Sequence, residues 1–181
     1  LIDGIYEKIV QPNEREMDLI ETYAIENADS LRKIYGLKLP ILESDRRAFL
    51  KTYYFEPALS IEGISTGYQG QGVKTILPAQ AKAKMRLVPG LTPEYVLECI
   101  KAHLKKEGFD RIKVTFTLGE ESYRSDMSDP AIVNVIELAK GFYEEGVAVL
   151  PTAAGTGPMH MIHQALGVPM VAFGIGNANS R

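Results

Sequence analysis

Between Arg111 and Leu118 the chain alternates without a lapse, with Ile112, Val114, Phe116 and Leu118 on one parity and Arg111, Lys113, Thr115 and Thr117 on the other. A period of two puts the apolar set on one face of a strand and the polar set on the other. Such a segment calls for an antiparallel sheet with one covered face. The elements before it supply the rest of that layer. Thr92 and Pro93 occupy the favoured N-cap and first-turn positions of a helix. Val96, Leu97, Ile100 and Leu104 form its apolar stripe, and Gly108 closes it. Upstream, Ala79 to Val88 alternates small apolar residues with Lys or Arg, as a half-exposed strand does, and Pro89-Gly90 turns the chain. Leu59, Ile61 and the Gly63-Ile64 pair read as a further strand.

The remainder obeys the same rules. Residues 1 to 10 are an apolar stretch with Gly4 and read as a short strand. Asn13 followed by Glu16 has the form of a capping box. Met17, Leu19, Ile20, Tyr23, Ala24 and Ile25 then recur near helical period, and Leu31, Ile34 and Tyr35 carry the pattern to Gly36. A short helix spans Asp45 to Tyr54, before Pro57. Strand, helix, strand, strand, helix, strand is the order of a ferredoxin-like antiparallel sheet with helices on one face. Gly119 to Ser128 is polar and reads as a linker. Asp129-Pro130 opens a helix with apolar positions Ile132, Val133, Ile136, Ala139 and Phe142, ending at Gly146. Val147 to Leu150, a glycine turn, a helix from Pro158 to Leu166 and an apolar strand from Val168 to Phe173 complete an α/β pattern. The expectation is an α/β protein: a ferredoxin-like unit over residues 1–122, incomplete at its N-terminal side, then a partial α/β segment over 123–181.

Composition removes several function classes. Hydrophobic residues at 45% and charged residues at 24% exclude a disordered chain. The formal charge is -3 with no basic stripe, so no nucleic-acid partner is expected. No apolar run approaches the roughly 18 residues that span a bilayer, so no membrane partner is expected, and no signal peptide opens the sequence. Cys99 has no second cysteine to pair with and sits on a helical pattern among apolar neighbours, which reads as a buried thiol. These features point to a cytoplasmic protein. The chain opens at Leu1 within a strand-like stretch and stops at Arg181 in a Gly/Asn/Ser loop, which reads as a cut piece of a longer protein.

The glycine-rich stretch Gly67-Tyr68-Gln69-Gly70-Gln71-Gly72 invites a nucleotide-loop reading, but a phosphate loop needs a helix directly after it. Here Lys74-Thr75-Ile76-Leu77-Pro78 and a strand come next instead, then Arg86-Leu87-Val88-Pro89 and Thr92-Pro93-Glu94. In that order these motifs resemble the lid domain of the zinc metallopeptidase and deacylase family that includes aminoacylase, acetylornithine deacetylase, succinyl-diaminopimelate desuccinylase and cytosolic carnosine dipeptidase. Leu150-Pro151-Thr152, Gly155-Thr156-Gly157-Pro158-Met159, Gly167-Val168-Pro169 and Gly174-Ile175-Gly176 are similar to the family's final catalytic segment. The resemblance covers nearly the whole chain.

The resemblance implies a set of roles. Arg86 matches the lid arginine that grips the substrate carboxylate, a task suited to a planar guanidinium fork. Thr75 matches a lid group that hydrogen-bonds substrate. Gly155 and Thr156 match the Gly-Gly-Ser turn beside the scissile group, here Ala154-Gly155-Thr156, which keeps the hydroxyl in a more crowded turn. The strand between Pro78 and Arg86 is shorter than the family's by about one strand pair, an even change that preserves the face of Arg86. The family's two zinc ions (or cobalt or manganese) are held by a His-x-Asp motif, a lone Asp and a Glu-Glu pair upstream, and by a His shortly after the Gly-x-Gly loop. None of these falls within residues 1–181, and the lid histidine that relatives contribute across their dimer also lies upstream of Leu1. His103 falls on the polar side of a Lys-rich helix, and His160 and His163 read as helix-surface residues, so no metal ligand is assigned.

The resemblance therefore implies an inactive part of a dinuclear zinc peptidase or amidohydrolase acting on dipeptides or N-acyl amino acids, homodimeric through the lid. The competing expectation is a non-enzymatic ferredoxin-like module for dimerisation or small-ligand regulation.

Overall fold

A computed structural model describes residues 2–26, 46–68, 70–72, 74, 79–143, 146–153, 155 and 157–174. The first helix, α1 (Glu14–Glu26), begins where the capping box places it. The Asn13 amide donates to Glu16 Oε2 and the Glu16 amide to Asn13 Oδ1, each at 2.9 Å. Its buried residues Met17, Ile20 and Ala24 lie at helical spacing on one face. The sequence pattern that runs on to Gly36 lies outside the described residues. Helix α2 (Arg46–Phe55) packs Leu50 and Phe55 against that face, joined by Phe49, Tyr54 and, from far along the chain, Leu150.

Strands β1 (Ala58–Ser65) and β2 (Gln80–Arg86) form an antiparallel pair, with Ala58 opposite Arg86 and Ser65 opposite Gln80. A bulge between Ile61 and Gly63 leaves Glu62 without a partner position. Because side chains alternate along β2, Lys82, Lys84 and Arg86 share one face, while Ala81, Ala83 and Met85 share the other. The latter face carries Leu59, Ile61 and Ile64 of β1, opposite Met85, Ala83 and Ala81.

Helix α3 (Pro93–Lys106) starts as its sequence dictates, the Thr92 hydroxyl accepting from the Tyr95 amide at 3.2 Å with Pro93 in the first turn. Together with the end of β2 it forms a second apolar cluster: Ile5, Ile9, Val88, Leu91 and Val96, flanked by Tyr95, Cys99 and Ile100. Cys99 is half-buried there and free. Helix α4 (Pro130–Phe142) is capped by Asp129 accepting from the Ala131 amide at 2.8 Å. It ends at Phe142, short of Gly146, and Phe142 is 82% exposed rather than core. Helix α5 (Met159–Leu166) ends on Gly167 at φ 66°.

The α/β character and the antiparallel strand pair are present, and three local expectations differ. Residues 3–8 are a run of turns rather than a strand, because Gly4 takes φ 84° and its carbonyl accepts both the Glu7 amide and the Tyr95 hydroxyl. Residues 112–118 join no ladder among the described residues, and Ile112, Phe116 and Leu118 are exposed. Neither do 147–150 and 168–173. Alternation sets which side chains share a face, but a strand exists only where another backbone supplies its hydrogen bonds.

Candidate functional site

Of the four residues expected to contact substrate, Arg86 and Gly155 are described, while Thr75 and Thr156 lie outside the described residues. Arg86 closes β2 on the basic face, opposite Ala58. Its Nη2 donates to the Glu56 carbonyl at 2.8 Å, and its guanidinium carbon stands 5.8 Å from the centre of the Tyr53 ring. Glu56 lies between the end of α2 and the start of β1, so the helix-to-strand crossing itself holds the arginine. Tyr53 sits in an aromatic row, stacked on Phe49 at 6.0 Å and edge-on to Tyr54 at 4.9 Å. Arg86 Nε is buried with no hydrogen-bond partner among the described residues. Next to Thr75, Lys74 lays its ammonium over the Tyr68 ring at 4.4 Å.

Gly155 occupies an open turn before α5, and a Cβ built there meets nothing within 4 Å. The structure thus brings Arg86 against Glu56 and Tyr53, and not against Gly155. A cavity of about 270 Å³ between α1 and α4, lined by Leu19, Tyr23, Val133 and Ile136 among others, includes neither site residue in its wall.

The segment read as a polar linker is instead a hub of contacts. Glu121 Oε2 faces His160 Nε2 at 3.5 Å, and Tyr123 stacks on His163 at 4.3 Å. The Ser125 hydroxyl donates to the Met170 carbonyl at 2.7 Å and accepts from the Met170 amide at 3.0 Å. Arg124 Nε pairs with Glu16 Oε1 at 3.0 Å, with side chains only 8% and 6% exposed. Burial pushes the Arg124 guanidinium below its ordinary value, and the Glu16 charge opposes that push. Its Nη2 also donates to the carbonyls of Val10 and Gln11, at 3.3 and 3.2 Å. None of these pairings shows as a local pattern, since each partner comes from a distant part of the sequence.

His160 and His163 are partly exposed on α5, and each is engaged with a side chain of the segment 119–128. His163 Nδ1 donates to the Val168 carbonyl at 2.8 Å. A dinuclear zinc site requires several His and carboxylate donors on one point. Among the described residues no group of three or more His, Cys, Asp or Glu side chains is gathered in this way. No helix among the described residues is long and apolar enough to cross a membrane.

No protein-family model matches the chain. Among curated proteins it is similar to the Beta-Ala-His dipeptidase of Rattus norvegicus, 24% identical over 135 residues, which is 71% of this chain and 27% of that protein. It is also similar to the Cys-Gly metallodipeptidase dug1 of Schizosaccharomyces pombe, 28% identical over 110 residues, 59% of this chain and 22% of that protein. Among solved structures it superposes on the M20 family metallo-carboxypeptidase Sso-CP2 from Sulfolobus solfataricus with a TM-score of 0.72 and 32% identity, covering 93% of this chain and 44% of that one. Human carnosine dipeptidase 1 shares the fold, at a TM-score of 0.71 and 20% identity over 92% of this chain and 37% of that chain. The chain spans about a quarter of the length of these curated relatives and under half of these structures.

Proposed function

We propose, from the premise that the homologues and structural neighbours of this chain are M20 family metallopeptidases, that it is the substrate-holding part of a peptidase or N-acyl amino acid amidohydrolase. In this reading residues 1–122 form the lid and 123–181 belong to the catalytic domain. The metals, two zinc ions or cobalt or manganese, are held by residues outside this sequence. The chain alone is inactive, its parent protein is cytoplasmic, and two copies pair through the lid. The substrate is a dipeptide or N-acyl amino acid with a free carboxylate. Arg86 binds that carboxylate, while Thr75, Gly155 and Thr156 orient the scissile end.

The observation that supports this most directly is the setting of Arg86. It stands at the end of a strand face that also carries Lys82 and Lys84, with one amino group fixed by the Glu56 carbonyl. A cation held in place by a backbone acceptor loses little freedom on meeting an anion, so its pairing is not offset by side-chain entropy. In the whole enzyme that carries this chain, Arg86→Ala is expected to lower kcat/KM for free-carboxylate substrates about tenfold or more. The same substrates with an amidated C-terminus should show little further loss. Equal losses on acid and amide substrates would remove the carboxylate-binding role.

A further inference from the structure

Three stretches of chain pass between the two apolar clusters. One lies between Ile9 and Met17, one leaves Phe55 for β1, and one runs from α3 back to Leu150. A single guanidinium touches all three. Arg124 lies on the third, donates to the carbonyls of Val10 and Gln11 on the first, and stands 5.1 Å from the centre of the Phe55 ring at the start of the second. Its countercharge, Glu16, also closes the capping box at the start of α1. One residue past Phe55, the Glu56 carbonyl holds Arg86.

We infer that Arg124, paired with Glu16, is a positioning residue for Arg86: it clamps the crossing at Phe55 so that the Glu56 carbonyl and the Tyr53 ring present the Arg86 guanidinium in one orientation. Arginine is needed for this because one planar group must pair with a carboxylate, bond two carbonyls and lie against a ring at once. A buried pair of this kind contributes little net stability over a well-packed apolar substitute but strongly defines geometry when its donors are used. The inference rests on the carboxylate-binding role proposed for Arg86.

The test uses the 181-residue chain with ¹⁵N-labelled arginine and reads exchange of the Arg86 Nε–H with water, which is slow where that nitrogen is shielded. Three variants are compared: Arg124→Met combined with Glu16→Gln, which leaves no stranded charge and keeps an acceptable capping residue; Arg124→Lys, which keeps the charge but not the fork; and Ile20→Val, at a fully buried position of the α1 face, as a packing control. Both Arg124 variants are expected to accelerate Arg86 Nε–H exchange about tenfold or more, with the control unchanged. Unchanged exchange in a folded Arg124 variant would overturn the coupling, as would an equal acceleration in Ile20→Val. N-acetylglycine added to the wild-type chain serves as the carboxylate probe. A shift of the Arg86 side-chain signals supports the role beneath the inference, whereas no shift with exchange still dependent on Arg124 would discard the substrate role and leave only a structural clamp.

Discussion

Gly90 sits at the turn beyond β2, with φ +98°. A Cβ added there would stand 1.9 Å from the Lys8 carbonyl oxygen and 3.2 Å from the Val10 nitrogen. Ordinary carbon–oxygen contact lies near about 3.4 Å, so in Gly90→Ala the backbone at Lys8 must move by about 1.5 Å. That movement breaks the bond from the Val10 amide to the Pro89 carbonyl, now 2.9 Å, worth about 1 kcal/mol. It also loosens Ile9 against Val88 and Leu91, all three buried, for about 1–2 kcal/mol more. The left-handed backbone itself costs an alanine about 1–2 kcal/mol. The sum is about 3–5 kcal/mol, a large share of the roughly 5–15 kcal/mol that typical domains possess. Gly167 provides the control: it is also left-handed, at φ 66°, but has nothing within 4 Å of an added Cβ, so Gly167→Ala should lose only the torsional part, about 1–2 kcal/mol. Urea unfolding monitored by circular dichroism reads both. Equal losses in the two variants would refute the claim that close packing of the first ten residues on this turn, and not backbone torsion, makes Gly90 necessary.

Two further outcomes are expected. Thr92→Ala removes the side-chain acceptor for the Tyr95 amide and should destabilise the chain by about 1 kcal/mol in the same urea assay, with Thr92→Ser restoring it. The Asp126 carboxylate accepts from the Ser128 hydroxyl and amide at 2.7 and 2.8 Å, and these bonds, the hydroxyl first, hold it below its usual range. A depressed carboxylate contributes stability above its unfolded value of about 3.9 that is lost as pH falls through the lower folded value. Asp126→Asn, which keeps an acceptor but does not titrate, should therefore show a shallower fall of Tm between about pH 4 and pH 2 than the parent. A parallel fall would exclude this carboxylate as a contributor.

Helix starts were legible because their causes are local. Asn13 and Glu16, Thr92 and Pro93, Asp129 and Pro130 each complete a cap within three residues, and each is realised. The segment 112–118 joins no ladder among the described residues for the converse reason: its alternation is a property of the segment alone, whereas a ladder partner is a property of the rest of the protein. The same holds for the first ten residues, where apolar content suggested a strand but Gly4 and the distant Tyr95 hydroxyl impose turns. The polarity of residues 119–128 was visible, yet Glu121, Arg124 and Ser125 each meet a partner from another part of the chain, so composition alone read as solvent exposure. At the candidate site, motif order pointed to Arg86, and its strand and face follow from the alternation of β2. The Glu56 carbonyl and the Tyr53 ring that hold it come from far upstream, and no spacing rule connects them.

The bulge at Glu62 has a consequence for how this hairpin tolerates changes in gene length. Ile61 and Ile64 are three residues apart yet point to one face, because Glu62 is the extra position; its deletion would restore a regular ladder and leave both isoleucines where they are. Strand β2 has no such slack. Loss of one codon between Gln80 and Met85 would turn Arg86 from the lysine face to the alanine face, and only a paired loss would return it. Sequences drifting from this one are therefore free to shed the codon for Glu62, while length changes in β2 survive in twos.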